Sequence, residues 1–436
     1  MIPAIGKIYS TLGNSNSLVP MAVKDIANSL GLTAGSYITG DKLEGKDRFI
    51  DEFGTQSIWL FGIPAYKKII DFTLYKALNI DPQFDVRNLK KGREKLLKQS
   101  VNYADSSISY EIKNAVKNQK TVKNLALGKF VLSTALTILS YAGLTKYRHK
   151  ITEKAAEKEI RAEIDERKRQ TQYSFTGPLW NLQDKSKPAF TGGIESFMYN
   201  PVKNLMILDG SITAERLAHS RNKQDFTGYA IKEGTFWTFM YFASKPIQKF
   251  FEKRVESSKT KFASIDLDAR VIESEELQKA FKDGSLIESA EKVLSFEKAE
   301  QMLEFIHENP EDFTVKMAKM SDILPVLEKS KQADNVDYRR FIDFNEFKGV
   351  AEKLKKLNNK FENFRQSDIA DKSVEAFLKN VKKLKRASTL ANIGTCVGVL
   401  GVIAPAVMVA VRKFGKNNEA FQVKEDLRKK FEKNSL

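Results

Sequence analysis

Cysteine is almost absent from this chain: Cys396 is the only one in 436 residues. No intramolecular disulfide can form, and a thiolate metal cluster within one chain is excluded. A lone thiol fits a cytosol-facing protein. Histidine is nearly as scarce, and His149, His219 and His307 stand far apart without a second-ligand pattern. No metal and no cofactor is expected. Acidic charge is also short, with 72 Lys and Arg against 55 Asp and Glu, a net charge of +17. Such an excess attracts anionic lipid head groups or nucleic acid. The basic residues are interleaved with acids and carry no recognition motif, which disfavours nucleic acid. The N-terminal MIPAIGKIYSTLGNSNSL has neither a charged start nor an apolar core, so a cleavable signal peptide is not expected.

Uncharged runs, in contrast, are present. Thr389 to Val411 reads TLANIGTCVGVLGVIAPAVMVAV. Lys382, Lys383, Lys385 and Arg386 precede it, and Arg412, Lys413 and Lys416 follow. A helix of about 20 apolar residues crosses a hydrocarbon layer of roughly 30 Å. Leu125 to Thr145 is the second run of that length, with Lys129 near one end, where its stem can reach the interface. Phe49 to Tyr66 and Tyr229 to Ser244 are shorter, interrupted by Asp51 and Glu52 and by Lys232 and Glu233. Their length suits a buried helix or a segment that dips into one leaflet. A mean hydropathy of −0.38 places most of the chain outside lipid.

Strand signals are weak throughout, and the expected fold is all-α. Val350, Leu354, Leu357, Phe361 and Phe364 alternate spacings of four and three, and Val374, Phe377, Val381 and Leu384 repeat the pattern. Such stripes bury one helix face. The four apolar segments fall into two pairs. Glu52-Phe53-Gly54-Thr55 runs into Trp59 and Pro64, and Glu233-Gly234-Thr235 runs into Trp237 and Pro246. The expectation is two copies of a membrane-hairpin-like helical unit, the second expanded by a soluble helical insertion. The first copy covers 1–150, with apolar segments 49–66 and 125–145. A charged helix and linker cover 151–193. The second copy starts over 194–270, with apolar segment 229–244. The insertion covers 271–388, and an apolar helix (389–411) with a basic tail closes 389–436.

Charge placement conflicts with four full spans. The loop after the first segment holds Lys67, Lys68, Lys90, Lys91, Arg93, Lys95 and Lys98, and both flanks of Thr389 to Val411 are basic. Cytoplasmic loops carry the Lys and Arg excess, and translocated loops do not. Two arrangements resolve the conflict: segments that dip into one leaflet leave every basic surface on the anionic face, or the segments pack against each other inside a soluble core.

Catalytic signatures fail on inspection, and no enzyme is expected. Gly394-Thr395-Cys396-Val397-Gly398 has the spacing of a nucleophile elbow but lies in an apolar run, far from any histidine. Gly394, Gly398 and Gly401 instead form a small-residue face that admits another helix closely. Gly35 to Gly40 has phosphate-loop spacing, but Asp41 stands where Lys is needed. Asp266 and Asp268 begin like a calcium loop that Arg270 and Val271 break. Glu52 and Glu233 remain as a paired polar site at the edge of apolar segments, where acids are costly and often functional. Trp59 and Trp237 suit anchors at the membrane interface.

The expected function is a membrane-associated structural or interaction protein, its basic surfaces held at the cytoplasmic face. Its partners would be anionic lipid and another membrane helix or protein, and most of the chain would be cytoplasmic. The alternative is a transport or channel component using Glu52 and Glu233, and the remote one is nucleic-acid binding.

Overall fold

The computed structural model describes residues 8–9, 11–12, 18–39, 42–167, 195–218, 220, 223–256, 266–327, 335–414, 428–429 and 431. Among them the fold is all-α. There is no strand, and one isolated bridge joins Val326 to Val336. The linker expected over 171–193 lies outside the described residues.

The chain forms two compact units, each discontinuous in sequence. The first comprises Met1–Pro20, Ile69–Phe130 and Ser244–Ile393. The second comprises Met21–Lys68, Val131–Ala243 and Gly394–Leu436. This differs from the expected division, because the region read as an insertion shares a unit with Ile69–Phe130. Specific bonds account for it. The Arg339 guanidinium meets Asp81 at 3.0 Å and Glu111 at 2.8 Å. Asn88 donates to the Arg339 carbonyl at 3.1 Å, and Tyr103 stacks on His307 with centroids 4.1 Å apart.

The first unit is apolar inside. Asp343 caps helix Phe344–Arg365 by accepting from the amides of Asn345 and Glu346. The side chain satisfies two donors that the helix itself leaves unpaired. The stripe Val350, Leu354, Leu357, Phe361 and Phe364 is buried, as its spacing predicts. Phe377 sits among Phe281, Phe361 and Phe364 at centroid distances of 5.8, 5.1 and 5.6 Å. Asp268 serves as a helix cap bonded to Arg270, not as a cation ligand.

The second unit is built from α1 (Val19–Thr39, from Met21 onward), α2 (Lys42–Ser57), α3 (Gln119–Arg167, from Val131 onward), α4 (Pro201–Ala218), α5 (Lys223–Trp237), α6 (Val374–Gly398, from Gly394 onward) and α7 (Ala404–Phe414). Single π-helical turns follow α2, α5 and α6, at Ile58–Gly62, Thr238–Phe242 and Val399–Ile403. Each wide turn rotates the helix beyond it, and such turns are frequent at functional sites. Gly31 of α1 meets Gly401 so closely that a Cβ on Gly31 would stand 2.1 Å from the Gly401 carbonyl oxygen.

Besides a buried apolar set that includes Leu32, Leu208, Ile212 and Leu400, this unit buries charge and exposes apolar faces. On α1, Val19, Val23, Ile26 and Leu30 recur at spacings of four, three and four, and all are exposed. The opposite face, with Lys24, Asp25, Asn28, Ser29 and Ser36, is buried. Elsewhere in the unit, Phe61, Leu132, Leu139, Phe242, Val402, Ile403 and Val407 are exposed. Asp47, Arg48, Asp51, Glu52, Arg148, Asp209, Arg216, Lys232 and Glu233 are buried. In water this arrangement loses twice, by hydrating apolar area and by dehydrating charge.

Two helices, Gln119–Ala162 and Val374–Ala410, are long and apolar enough to cross a membrane. Only 28% and 22% of their most apolar stretches are buried, so they are not core helices of the ordinary kind.

Candidate functional site: a buried charge network beside a small cleft

The network starts from spacing on α2. Asp47, Arg48, Asp51 and Glu52 stand one and four apart, which places them on one helix face. Asp51 is its centre, only 1% exposed. Its carboxylate lies 3.0 Å from Arg148 of α3, 3.3 Å from Arg216 of α4 and 3.6 Å from Arg48. Burial alone would raise the Asp51 carboxyl; Arg148 and Arg216 hold it far below the usual carboxylate range. Asp47 accepts from the Thr152 hydroxyl at 2.7 Å, and Arg148 lies 3.7 Å away.

A second cluster adjoins the first. Lys232 of α5 donates to Glu52 at 2.6 Å and lies 3.5 Å from Glu233. Arg216 donates to Glu233 at 2.7 Å and to the Tyr141 hydroxyl at 2.8 Å. Thr213 donates to the other Glu233 oxygen at 2.9 Å. Burial raises the Glu233 carboxyl, but Arg216 and Lys232 outweigh it and set it below its ordinary value. Glu52 and Glu233, expected as a pair from sequence, therefore share one ammonium.

Beside this cluster runs a cleft of about 360 Å³, its open part included. A water's centre can occupy only about 20 Å³ of it, room for a water or two. Its walls carry Asp25, Asn28, Glu52, Asp209, Arg216, Lys232 and Glu233. Asp25 accepts from the Trp59 indole at 3.0 Å, and Asp209 accepts from the Tyr241 hydroxyl. Both donors are neutral. Burial pushes the Asp25 carboxyl up to about 7, the Trp59 bond opposing it and Glu52 adding to it. Burial likewise pushes Asp209 up to about 8, with Tyr241 opposing and Asp25 and Glu233 adding.

These shifts fix a pH dependence. An unfolded Asp releases its proton near 3.8, whereas folded Asp25 and Asp209 hold theirs to about 7 and about 8. In that window the folded state binds more protons, so these groups make stability fall as pH rises. Asp51 and Glu233 act oppositely, losing their stabilisation only as pH falls through their depressed values. Asp25→Asn and Asp209→Asn are each expected to flatten the decline toward alkaline pH. Thermal melts of the purified protein across neutral pH check this, and an unchanged slope in both variants contradicts it.

The other residues singled out in the sequence are placed as follows. Trp59 is buried, and the Trp237 indole donates to Thr213 at 3.0 Å while its ring lies 3.6 Å from where a Gly210 Cβ would be. Both indole N–H groups find acceptors inside the unit, with Trp59 buried and Trp237 half-buried, where an anchor would turn its N–H to interfacial water. Gly401 is a close-packing glycine, its Cβ position 3.0 Å from the Ala27 carbonyl oxygen. Gly394 and Gly398 differ from that expectation, since a Cβ at either would meet nothing within 4 Å. Cys396 is buried within helix α6, a setting without the strand that a nucleophile elbow needs. Gly35 lies inside helix α1 rather than in a phosphate loop. Among the described residues no three His, Cys, Asp or Glu are grouped to hold a metal ion.

Sequence reading missed Asp25, Arg148, Asp209 and Arg216. The available signal was a charge set in an apolar helix, as in MAVKDIANSLGL around Asp25. Compared with protein-family models, curated proteins and solved structures, the chain matches none.

Proposed function

We propose that this chain is an integral membrane protein whose second unit is a transport or channel component for a small ion. The exposed apolar faces of that unit, together with the charges it buries, carry the membrane part of the reading. Lipid solvates the exposed apolar faces of α1, α3 and the segment around Val402, and the buried charges neutralise one another away from it. Gln119–Ala162 and Val374–Ala410 are the spanning segments, and the neighbouring helices pack beside them.

The polar cleft favours transport over an anchoring role. A plain anchor needs no interior charge, and well-packed apolar residues often replace buried ion pairs at no loss of stability. Ionisable groups inside a membrane unit are costly and mark ion and proton pathways. Element order supports two copies of one unit. Asp25, Glu52, Trp59 and a π-turn in the first half have Asp209, Glu233, Trp237 and a π-turn as counterparts. Transporters built from repeats place their sites between them. The basic first unit and loops lie at the cytoplasmic face in this reading, where each lysine or arginine near anionic lipid contributes about 1 kcal/mol.

Cys396 supplies the test, since it is buried and is the only thiol. The protein is expected in the membrane fraction after an alkaline carbonate wash. An impermeant maleimide is expected to label Cys396 only after denaturation. Recovery in the soluble fraction overturns the membrane reading. Membrane retention without ion flux from proteoliposomes leaves the structural or interaction role in place of transport.

A further inference from the structure

Charge balance around the cleft leaves two acids over. Lys232 and Arg216 are the cations on its walls, and they are engaged by Glu52 at 2.6 Å and Glu233 at 2.7 Å. Asp25 and Asp209 hold one hydrogen bond each, from the uncharged Trp59 and Tyr241. Buried carboxylates without a cation partner are expensive, and they escape the cost by taking a proton or a bound cation.

Asn28 is the independent observation. It lines the same cleft and is 3% exposed. Among the described residues its amide has no hydrogen-bond partner. The amide opens onto the cleft, so a water there is the partner available to it. Space for a water or two admits a water that meets Asn28 and passes a proton to the acids. An organic ligand does not fit, and among the described residues no three-ligand group is present for a metal ion.

We propose that Asp25 and Asp209 form a proton-binding pair loaded from water in this cleft, with Asn28 orienting that water. An O–H bond forms on a free carboxylate oxygen as the hydrated proton gives up its own, and no oxidant or reductant takes part. The groups facing Asp25 are Glu52, Lys232 and Arg216, and those facing Asp209 are Tyr241, Glu233, Arg216 and Asp25. Asp209 sees the Asp25 charge, which favours its protonated form. The pair supplies the transported or coupling ion of the membrane reading, and in that sense rests on it.

Infrared difference spectra of the purified full chain, recorded across neutral pH, test the proposal. A protonated-carboxyl band should rise on acidification and shift when the aspartates are isotopically labelled. Asp25→Asn and Asp209→Asn should each weaken it, and the double variant should abolish it, with Cys396 still unreactive as the sign of a folded unit. A band that ignores aspartate labelling, or persists in the double variant, overturns the proposal. The labelling arm uses the unmutated protein, so a variant that fails to fold does not remove the test. Proton flux in proteoliposomes under an imposed potassium diffusion potential is measured in parallel. The expected band without flux upholds the proton site and removes the transport reading.

Discussion

Asp51→Ala is expected to unfold the second unit. The substitution deletes the one carboxylate that Arg148, Arg216 and Arg48 share, at 3.0, 3.3 and 3.6 Å. Three guanidiniums would then face one another, and arginine does not escape by losing its proton. Removing one partner of a buried ion pair costs about 3–5 kcal/mol, a large fraction of the stability of an ordinary domain. Asp51→Asn keeps the shape and loses the charge, so most of the loss should remain. An exposed pair gives the contrast. Arg365 and Glu362 lie 3.5 Å apart at the surface of the first unit, and Arg365→Ala should cost at most about 1 kcal/mol. The measurement is the rate of maleimide reaction at buried Cys396, together with thermal melting in detergent. A melt of Asp51→Ala no lower than that of Arg365→Ala contradicts the account of the network.

Gly31→Ala is the second large effect. Its new methyl would lie 2.1 Å from the Gly401 carbonyl oxygen and 2.8 Å from Pro405. Neither is the free end of a flexible chain, so the backbones must part. Overpacking of this kind costs about 1–3 kcal/mol, and Gly31→Leu should cost more. Gly394→Ala and Gly398→Ala should behave oppositely. Nothing lies within 4 Å of either position, and alanine favours the helix by roughly 0.5–1 kcal/mol over glycine. Melting temperatures of the three alanine variants decide this. A Gly31→Ala protein as stable as Gly398→Ala means the close approach does not hold.

Much of the fold was legible in the sequence. The stripe from Val350 to Phe364 is buried as its spacing required, and Phe377 and Val381 follow it inside. Such stripes are local, and a helix face can be counted without knowing its neighbour. The two long apolar runs were visible for the same reason. The units were not visible. Ile69–Phe130 joins Ser244–Ile393 through contacts such as Arg339 with Asp81, which no local period announces. The site was half legible. Glu52 and Glu233 stood out because each interrupts an apolar segment. Arg148 did not, because it reads as part of the basic flank Lys146-Tyr147-Arg148. Whether such a residue turns to water or inward depends on an acid elsewhere, here Asp51. Trp59 misled in the same way: sequence shows its amphipathic ring but not the Asp25 carboxylate that draws it in.

The Asp51 cluster also dictates an order of synthesis. Asp51 leaves the ribosome well before Arg148, and Arg216 follows later still. On its own helix Asp51 has only Arg48, 3.6 Å away, as a counter-ion while it waits, so in the proposed membrane setting α2 would settle poorly in lipid when it is made. There it would stay at the watery margin until the third and fourth helices of the unit deliver their arginines. In that setting, assembly of this unit would be a late, concerted event that waits for its remaining counter-ions.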